Sequence, residues 1–447
     1  MNEEVLEIPI SKKNLALEKE QHKCVSCGYC VRTCKNDISV YKMYDIKKTK
    51  QPICIHCGQC ANICPTEAIH ERFDYLRVKK LLKDKKKILA FSIAPAVRVA
   101  LGEEFGLPVG TNVEGKIVSA LKQIGANYVF DINFGADLTI MEEAMELVHR
   151  IEKNKKLPMF TSCCPAWVNF CEIFYPKLIP NLSTCKSPIS MQSTIINRYF
   201  TKINKINKWD IINIVVAPCT AKKYEITRDE LIDKAQDCDF ILTTRELAML
   251  LKEYKIDLKN LKNRKFDNPF GLASTSGMIF GSTGGVMEAA LRTAYYFMTK
   301  KNLKKKDLKF NELEGMKGIK EASIVINDRE IKVCVINGMK NAKTILDKVI
   351  NKEVNYDFIE VMNCLGGCVS GGGQPKITLL DMTETRTKRM NALYSEEEKH
   401  ELRLCHENPY IKELYKNLLL EPNSQIARDL LHTTYSNKSD LLEGNDE

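Results

Sequence analysis

The feature that most constrains this chain is a cysteine pattern that occurs twice within its first 70 residues. The two copies are CVSCGYCVRTC, from residue 24, and CIHCGQCANIC, from residue 54, and each has the spacing C-x2-C-x2-C-x3-C. Eight thiols at such regular intervals predict metal ligation. Gly28 and Gly58 allow the backbone to turn tightly within each copy and to direct its amides toward sulfur. The repeat therefore predicts a small N-terminal domain built around metal centres.

The spacing matches that of two-cluster bacterial ferredoxins, in which the fourth cysteine of each copy ligates the other cluster. One 4Fe-4S cluster is then expected on Cys24, Cys27, Cys30 and Cys64. The other is expected on Cys54, Cys57, Cys60 and Cys34. A zinc site needs only four ligands and leaves the doubled spacing unexplained. His56 lies inside the second copy but is expected to be a bystander, so residues 22 to 70 are interpreted as an electron-relay module.

Composition places the chain among soluble globular proteins, with 447 residues, 44% of them hydrophobic and 28% charged. No apolar run approaches the roughly 18 residues that span a membrane, and the start MNEEVLEIPISKKN is unlike a signal peptide. We therefore expect a cytoplasmic protein without membrane association. Because thiols are kept reduced in the cytoplasm, 18 cysteines favour metal ligation over disulfides. A net charge of +10 suggests an acidic partner. Dispersed lysines and the lack of a recognition motif argue against nucleic acid.

From about residue 86 the pattern changes to short apolar runs that alternate with amphipathic periodicity. Stretches such as LTIMEEAMELVHRIEK and TRELAMLLKEY are typical of helices. This alternation predicts parallel sheets covered by helices, with ligands collecting beyond the carboxyl ends of the strands. Six buried strands are expected, at residues 88–95, 127–132, 212–218, 238–244, 331–336 and 356–362.

Two adjacent cysteines in TSCCPAW (161–167) raise a separate question. Neighbouring thiols are a poor disulfide pair because the ring they close is strained, and one metal centre rarely takes both. Cys163 and Cys164 are therefore expected to serve different purposes.

Two further motifs, APCTAKKYE (217–225) and EVMNCLGGCVSGGGQP (360–375), extend this pattern. Lys222 can place an ammonium beside anionic ligands, and the glycines of the second motif allow the backbone to lie against a bulky inorganic group. Together the three motifs offer enough thiolates for another 4Fe-4S cluster, on Cys164, Cys219, Cys364 and Cys368.

In this order and spacing, the three motifs resemble the H-cluster signatures of the iron-only (FeFe) hydrogenases. The resemblance covers nearly the whole chain and includes ADLTIMEEAMEL, STSGMIFGSTGGVMEAALRTAY and the CHENPYIKELY segment, which is similar to the family's small subunit. It implies an enzyme that reversibly reduces protons to H2 with electrons from ferredoxin. It also implies an H-cluster, a 4Fe-4S cubane joined to a di-iron unit that carries CO, cyanide and a bridging dithiolate amine, and partners that include an acidic ferredoxin and the hydrogenase maturation proteins.

The resemblance also implies roles for individual residues. Cys368 would bridge the cubane to the di-iron unit, while Lys222 would hydrogen-bond a cyanide, helped by the backbone around Ala94 and Pro95. Met362 would pack near the bridging carbonyl. Proton transfer is implied along a path of five residues, of which Glu143, Glu146 and Arg150 have the spacing of one helix face: Cys163, Glu143, Ser183, Glu146 and Arg150.

Two positions depart from the commonest pattern of the family. Ala217 stands where a methionine is usual near the di-iron unit, and Ile189 replaces a glutamine. Such changes tune a metal site without abolishing binding, and they suggest a divergent subgroup. His406 is expected to pack or to hydrogen-bond, and the remaining cysteines are expected to be small buried hydrophobes: Cys171, Cys185, Cys238, Cys334 and Cys405.

Two alternatives to a hydrogenase are a hydrogen-sensing regulator and a non-catalytic relative of the iron–sulfur assembly factors. Sensors usually add output domains and often lose the relay cysteine, whereas this chain keeps Cys163 and ends soon after the small-subunit-like segment. Assembly factors lack the full ligand set. The sequence thus favours an enzyme with three parts: a ferredoxin-like domain (1–85), a two-lobed α/β catalytic domain (86–392) and a helical belt (393–447).

Overall fold

The computed structural model describes residues 6–232, 237–304, 307–314, 316–378 and 380–444. These ranges leave out the first five residues of the predicted ferredoxin-like domain and the last three of the belt. The first five also begin the stretch that was judged unlike a signal peptide. In the N-terminal domain, β1 (Leu17–Lys19) pairs antiparallel with β2 (Ile69–Glu71). The short helices α1 (Tyr29–Arg32) and α2 (Gln59–Ile63) each begin directly after a glycine of the cysteine repeat. Those glycines have φ of 76° and 71°, so the expected tight turns are present.

A four-stranded parallel sheet forms the first lobe of the following domain, in the order β4-β3-β6-β7. Its strands are made of the four apolar runs that the sequence pattern predicts, and all are largely buried. The strands are β3 (Ile88–Ile93), β4 (Tyr128–Asp131), β6 (Ile211–Ala217) and β7 (Phe240–Thr243).

A five-stranded sheet forms the second lobe, in the order β5-β11-β10-β9-β8. The predicted parallel arrangement holds for β5, β11 and β10 only, because β9 and β8 pair antiparallel. Asn327 and Asp328 both have positive φ and join β9 to β10 as a tight hairpin, which the sequence analysis did not anticipate. The strands are β5 (Met159–Phe160), β8 (Asn311–Glu312), β9 (Ile319–Ile326), β10 (Arg329–Asn337) and β11 (Phe358–Met362).

Helices cover both sheets, and the longest, α6, is almost entirely buried between the lobes. The two predicted amphipathic stretches lie in α6 and α12. Besides α1 and α2, the helices are α3 (Tyr75–Leu81), α4 (Pro95–Arg98), α5 (Glu114–Ile124), α6 (Ile132–Lys153), α7 (Pro165–Phe174), α8 (Pro188–Ile195), α9 (Thr201–Ile203), α10 (Ala221–Glu225), α11 (Asp229–Ile232), α12 (Thr244–Glu253), α13 (Thr275–Met278), α14 (Gly285–Thr299), α15 (Met339–Ile350), α16 (Met382–Lys399), α17 (Pro409–Leu414) and α18 (Gln425–Leu431).

The C-terminal segment crosses the surface of both lobes. Helix α16 runs through the predicted boundary between residues 392 and 393, so that boundary falls inside a helix. Further along, the Lys438 ammonium contacts Glu172, and the Tyr435 hydroxyl donates to the carbonyl of Ser183 at 2.7 Å. Within the described residues, no helix is both long enough and apolar enough to cross a membrane.

Candidate functional site

The eight N-terminal cysteines lie close together across the two repeats. Burial and the neighbouring Cys54 raise the pKa of Cys34 to about 12. The pKa of Cys60 is also raised, by burial and then by Cys54 and Cys34. Cys34, the last cysteine of the first repeat, thus lies beside the cysteines of the second. Cys64, the last of the second repeat, packs in one apolar cluster with Cys24 and Cys30 of the first, among others. The position of Cys34 beside the second repeat agrees with the ferredoxin spacing, and the crossed ligand assignment stays a prediction.

A second group of four cysteines lies beyond the carboxyl ends of three strands. Cys164 immediately precedes α7, after β5, while Cys219 follows β6. Cys364 and Cys368 follow β11. Because β5 and β11 belong to one sheet and β6 to the other, the four thiols meet between the two lobes.

These four thiols influence one another strongly. Burial raises the pKa of Cys364 to about 11 and that of Cys368 to about 12, and the neighbouring Cys164 adds to both shifts. The pKa of Cys219 is raised by burial and then by the other three sulfurs. All four are free thiols. Four converging thiols that repel one another as thiolates fit a cationic iron–sulfur core, whose positive charge would offset part of theirs.

Two glycines of the CVSGGGQP stretch lie against protein backbone. A Cβ at Gly371 would meet the carbonyl oxygen of Pro218 at 2.2 Å, and one at Gly372 would meet that of Cys57 at 2.2 Å. Close backbone contact therefore requires glycine at these two positions, and the expected contact with an inorganic group stays a prediction. Gly372 allows the second cysteine repeat to dock closely on the catalytic domain.

A cavity of about 70 Å³ opens beside these cysteines, and its walls are mostly apolar. Ala94, Pro95 and Met362 line it, as the resemblance predicts, and so do both departures from the family pattern, Ala217 and Ile189. Apolar walls suit neutral carbonyl ligands, since such ligands accept few hydrogen bonds. The polar groups on the walls come from Cys163, Cys164, Cys219, Cys368 and Lys222.

Lys222 places an ammonium on the wall of this cavity. Its Nζ donates to the carbonyl of Cys163 at 3.1 Å and to the Glu225 carboxylate. Burial is the largest effect and disfavours the charge, but Glu225, followed by Cys219 and Cys163, raises the pKa of Lys222 above its usual value. Glu225 in turn accepts hydrogen bonds from the hydroxyls of Ser187 and Ser190. A fixed cation therefore faces the cavity, and the chain has the donor that a cyanide ligand would need.

Glu225 was not predicted from the sequence, although it lies three residues after Lys222 on α10. The i,i+3 spacing of a lysine and a glutamate was the available signal.

The five residues of the predicted proton path lie in a row from the cavity outward. Cys163 is on the cavity wall, and burial followed by the Glu143 carboxylate raises its pKa well above the ordinary value. Further out, Glu146 accepts a hydrogen bond from the Ser183 hydroxyl at 3.0 Å and from Arg150 at 2.6 Å. Arg150 also donates to the carbonyl of Leu182 at 2.7 Å.

Glu143 is the middle member of this row and the most unusual. It is 1% exposed, and neither carboxylate oxygen has a hydrogen-bond partner among the described residues. The nearby Ser183 hydroxyl donates to Glu146 instead. Burial and then the charge of Glu146 raise the pKa of Glu143 to about 8. A carboxyl group with such a pKa can both hold and release a proton near neutral pH.

The cysteines and histidines that were expected to have structural roles are buried or stacked on aromatic rings. All five cysteines are buried: Cys171, Cys185, Cys238, Cys334 and Cys405. Cys185 has one further contact, since its Sγ lies 3.8 Å from a carboxylate oxygen of Glu146. His56 stacks on Tyr224, with ring centroids 4.4 Å apart, and His406 stacks on Tyr296 at 4.0 Å.

Comparisons with known proteins agree with this site. A family profile described as "Iron only hydrogenase large subunit, C-terminal domain" matches residues 87–372. The profile "4Fe-4S dicluster domain" matches residues 23–69, and "Iron hydrogenase small subunit" matches residues 383–438.

Individual relatives cover most of the chain. "Iron hydrogenase 1" of Clostridium pasteurianum is 40% identical over 95% of this chain and 77% of its own length. The "NADP-reducing hydrogenase subunit HndD" of Solidesulfovibrio fructosivorans is 40% identical over 94% of this chain and 67% of its own. A more distant relative, the "Nuclear prelamin A recognition factor" of Danio rerio, is 28% identical over 81% of this chain and 79% of its own.

A solved structure has the same fold. A variant of the [FeFe]-hydrogenase HydA1 from Chlamydomonas reinhardtii superposes with a TM-score of 0.73 at 38% identity, covering 81% of this chain and 99% of that one. Together with the profiles, this match supports 4Fe-4S clusters and an H-cluster as the cofactors. The chain therefore belongs to the iron-only (FeFe) hydrogenase family.

Proposed function

We propose that this protein catalyses the reversible reduction of protons to H2, with ferredoxin as the electron donor or acceptor. One observation carries the proposal: three of the four clustered thiols, a fixed ammonium and the relay cysteine line a single apolar cavity, and the fourth thiol, Cys364, lies beside Cys219. When bound, the H-cluster supplies the two-electron chemistry, and the protein supplies the position, the charge and the protons.

The ligand roles follow from position. Cys164, Cys219, Cys364 and Cys368 would hold the cubane. Cys164, Cys219 and Cys368 all line the cavity, and Cys368 is the one that would also join the di-iron unit. Lys222 would bind a cyanide, and Ala94, Pro95 and Met362 would enclose the carbonyl ligands. The two remaining 4Fe-4S clusters would lie on the N-terminal repeats, in the crossed assignment of Cys24, Cys27, Cys30 and Cys64, and of Cys54, Cys57, Cys60 and Cys34.

Protons reach the cavity by the row of residues that ends at Cys163. Arg150 fixes Glu146 from outside, while the Ser183 hydroxyl holds its other oxygen. Glu143 lies between this pair and Cys163, protonated at neutral pH because of its pKa of about 8. A proton that leaves Cys163 toward the cavity is replaced from Glu143, which is recharged from Glu146 through Ser183. Each member therefore transfers a proton over a short distance inside a site that excludes bulk water.

Electrons arrive through the N-terminal domain. Residues 1–80 carry 14 Lys and Arg against 10 Asp and Glu, an excess that suits an acidic ferredoxin. We further propose that the protein works in the cytoplasm and receives its di-iron unit from the hydrogenase maturation proteins.

Co-expression of this chain with the family's maturation proteins tests the function. We expect infrared bands of bound CO and cyanide, together with H2 evolution from reduced ferredoxin. Cys164→Ala is the matched control, because it removes a cubane ligand and should lose the bands.

The other possible outcomes of this experiment would favour one of the two alternative functions. Bands without H2 turnover would favour a hydrogen sensor. The absence of bands in the unmodified chain would favour a non-catalytic relative, such as the nuclear prelamin A recognition factors among its distant relatives.

A further inference from the structure

A cavity of about 160 Å³, with several polar side chains in a largely apolar wall, lies at the junction of the relay module and the catalytic domain. Gln59 and Asn62 line it from the second cysteine repeat, and Asn363 and Ser370 line it from the cluster-binding loop. Arg386, on α16, and the exposed Asp37 also line it, without an ion pair between them. The cavity therefore lies between the cysteines proposed for the relay cluster and those proposed for the cubane.

Arg386 has no partner for its charge among the described residues. Its Nε is buried without a hydrogen bond, and no carboxylate of the described chain lies within ion-pair distance of its guanidinium. Burial lowers the pKa of Arg386, and the charged groups that act on it are Cys364, the exposed Asp37 and the like charge of Arg389. Arg389 is neutralised by Glu103, at 2.6 Å. An unpaired, partly buried guanidinium is costly unless an anion is close to it.

The cysteine sulfurs of the proposed cubane would supply this negative charge. Cys364 receives a hydrogen bond from the Gln59 amide at 3.2 Å and another from the Asn363 amide at 3.4 Å. Gln59 is fixed by a second hydrogen bond, to the carbonyl of Ser370 at 2.8 Å. Two amide N–H groups thus bond a single sulfur of the cubane site. The Arg386 guanidinium lies on the same cavity wall as Asn363 and Leu365, the sequence neighbours of Cys364, and the charge of Cys364 acts on it. The same negative sulfurs argue against a free anion in this cavity, because they would repel it.

We propose that the Arg386 guanidinium offsets negative charge on the cubane and that, together with Gln59, it raises the cubane's reduction potential. The inference rests on the proposed function, since it requires a cubane on Cys364. Reduction adds one negative charge to a cluster, and a nearby cation in a poorly polarisable interior stabilises that charge. Hydrogen bonds to cluster sulfurs act in the same direction. Both groups are therefore positioning residues that set the driving force of electron entry.

The test measures potential rather than turnover. In the assembled protein, infrared spectroelectrochemistry follows the CO and cyanide bands, which shift slightly when the neighbouring cubane changes its charge. We expect Arg386→Gln to lower the midpoint of that shift, so that the reduced fraction falls about tenfold at a fixed potential. For a one-electron couple this corresponds to about 59 mV. Gln59→Leu should move the midpoint in the same direction, and Arg386→Lys, which keeps the charge, should stay near the unmodified value.

The matched control is Lys388→Gln, on the same helix. Lys388 is exposed and paired with Glu384 at 2.6 Å, so its loss should leave the midpoint unchanged. An unchanged midpoint in Arg386→Gln, with normal bands, would overturn the inference and leave the proposed function intact. A shift of equal size in Lys388→Gln would also overturn it, because the effect would then be one of general surface charge. Missing bands in the unmodified protein would instead count against the proposed function itself.

Discussion

Glu143→Gln should increase the stability of the protein and at the same time reduce its turnover by orders of magnitude. The pKa of Glu143 is raised from 4.5 to about 8 by burial and by Glu146, so the folded protein holds a proton that the unfolded chain releases. A pKa unit corresponds to about 1.4 kcal/mol, so this difference corresponds to about 5 kcal/mol. In the wild-type protein the stability contributed by protonated Glu143 is fully present below pH 4.5 and is lost as the pH rises through 8. Glutamine is neutral at every pH and avoids the loss.

Two measurements check this reasoning. The denaturant midpoints of wild type and variant, both loaded with clusters under anaerobic conditions, should diverge between pH 5 and pH 9, in favour of the variant. H2 evolution per assembled cofactor should fall by a factor of about 10² to 10⁴, the usual contribution of a proton-transfer group, with unchanged infrared bands. A stability difference that does not grow with pH would refute the assigned charge state. Turnover within about threefold of wild type would refute the relay, since that loss is far below the range expected for a proton-transfer group.

Three further predictions concern the cysteines and the N-terminal surface. Cys163→Ser should keep the CO and cyanide bands but lose turnover by orders of magnitude, because a hydroxyl is far less acidic than a thiol, whereas Cys164→Ala should lose the bands; near-normal activity in Cys163→Ser would contradict the relay. Replacing Cys27 and Cys57 together should reduce ferredoxin-driven turnover and leave the bands intact, and loss of the bands would instead indicate a structural module. The apparent affinity for an acidic ferredoxin should fall as salt rises, and a salt-independent affinity would contradict docking at residues 1–80.

Much of the site could be predicted from the sequence, because local spacing and sheet geometry determine it. The carboxyl ends of parallel strands meet at one edge of a sheet, so the thiols that follow β5 and β11 lie close together. Cys219 follows β6 of the other sheet, and its approach depends on how the two lobes pack. Likewise, Glu143, Glu146 and Arg150 share a helix face by their spacing alone. The six predicted strands are all present, each within about two residues of the expected ends.

Contacts between distant segments could not be predicted in this way. The hydrogen bond from Gln59 to Cys364 joins residues that are 305 positions apart, and no periodicity reports it. The glycines at 371 and 372 were predicted to contact an inorganic group, because a glycine in a sequence indicates close contact without identifying the contacting group. The structure shows that the backbone carbonyls of Pro218 and Cys57 lie against them. The antiparallel strands β8 and β9 were missed because β9 alternates exposed and buried residues, unlike the apolar runs of the other strands.

The close approach of Gly372 to Cys57 has a consequence for protein engineering. Relay modules with the same cysteine spacing look exchangeable between hydrogenases, as if each were an independent unit joined by a linker. Here the module's second loop lies within contact distance of the loop that carries Cys364 and Cys368, and Gln59 crosses the junction. A grafted module with a bulkier loop at this point, or without an amide donor at position 59, would be held away from the catalytic domain. Successful chimeras should therefore be designed around this junction, with both loops transferred as one matched pair.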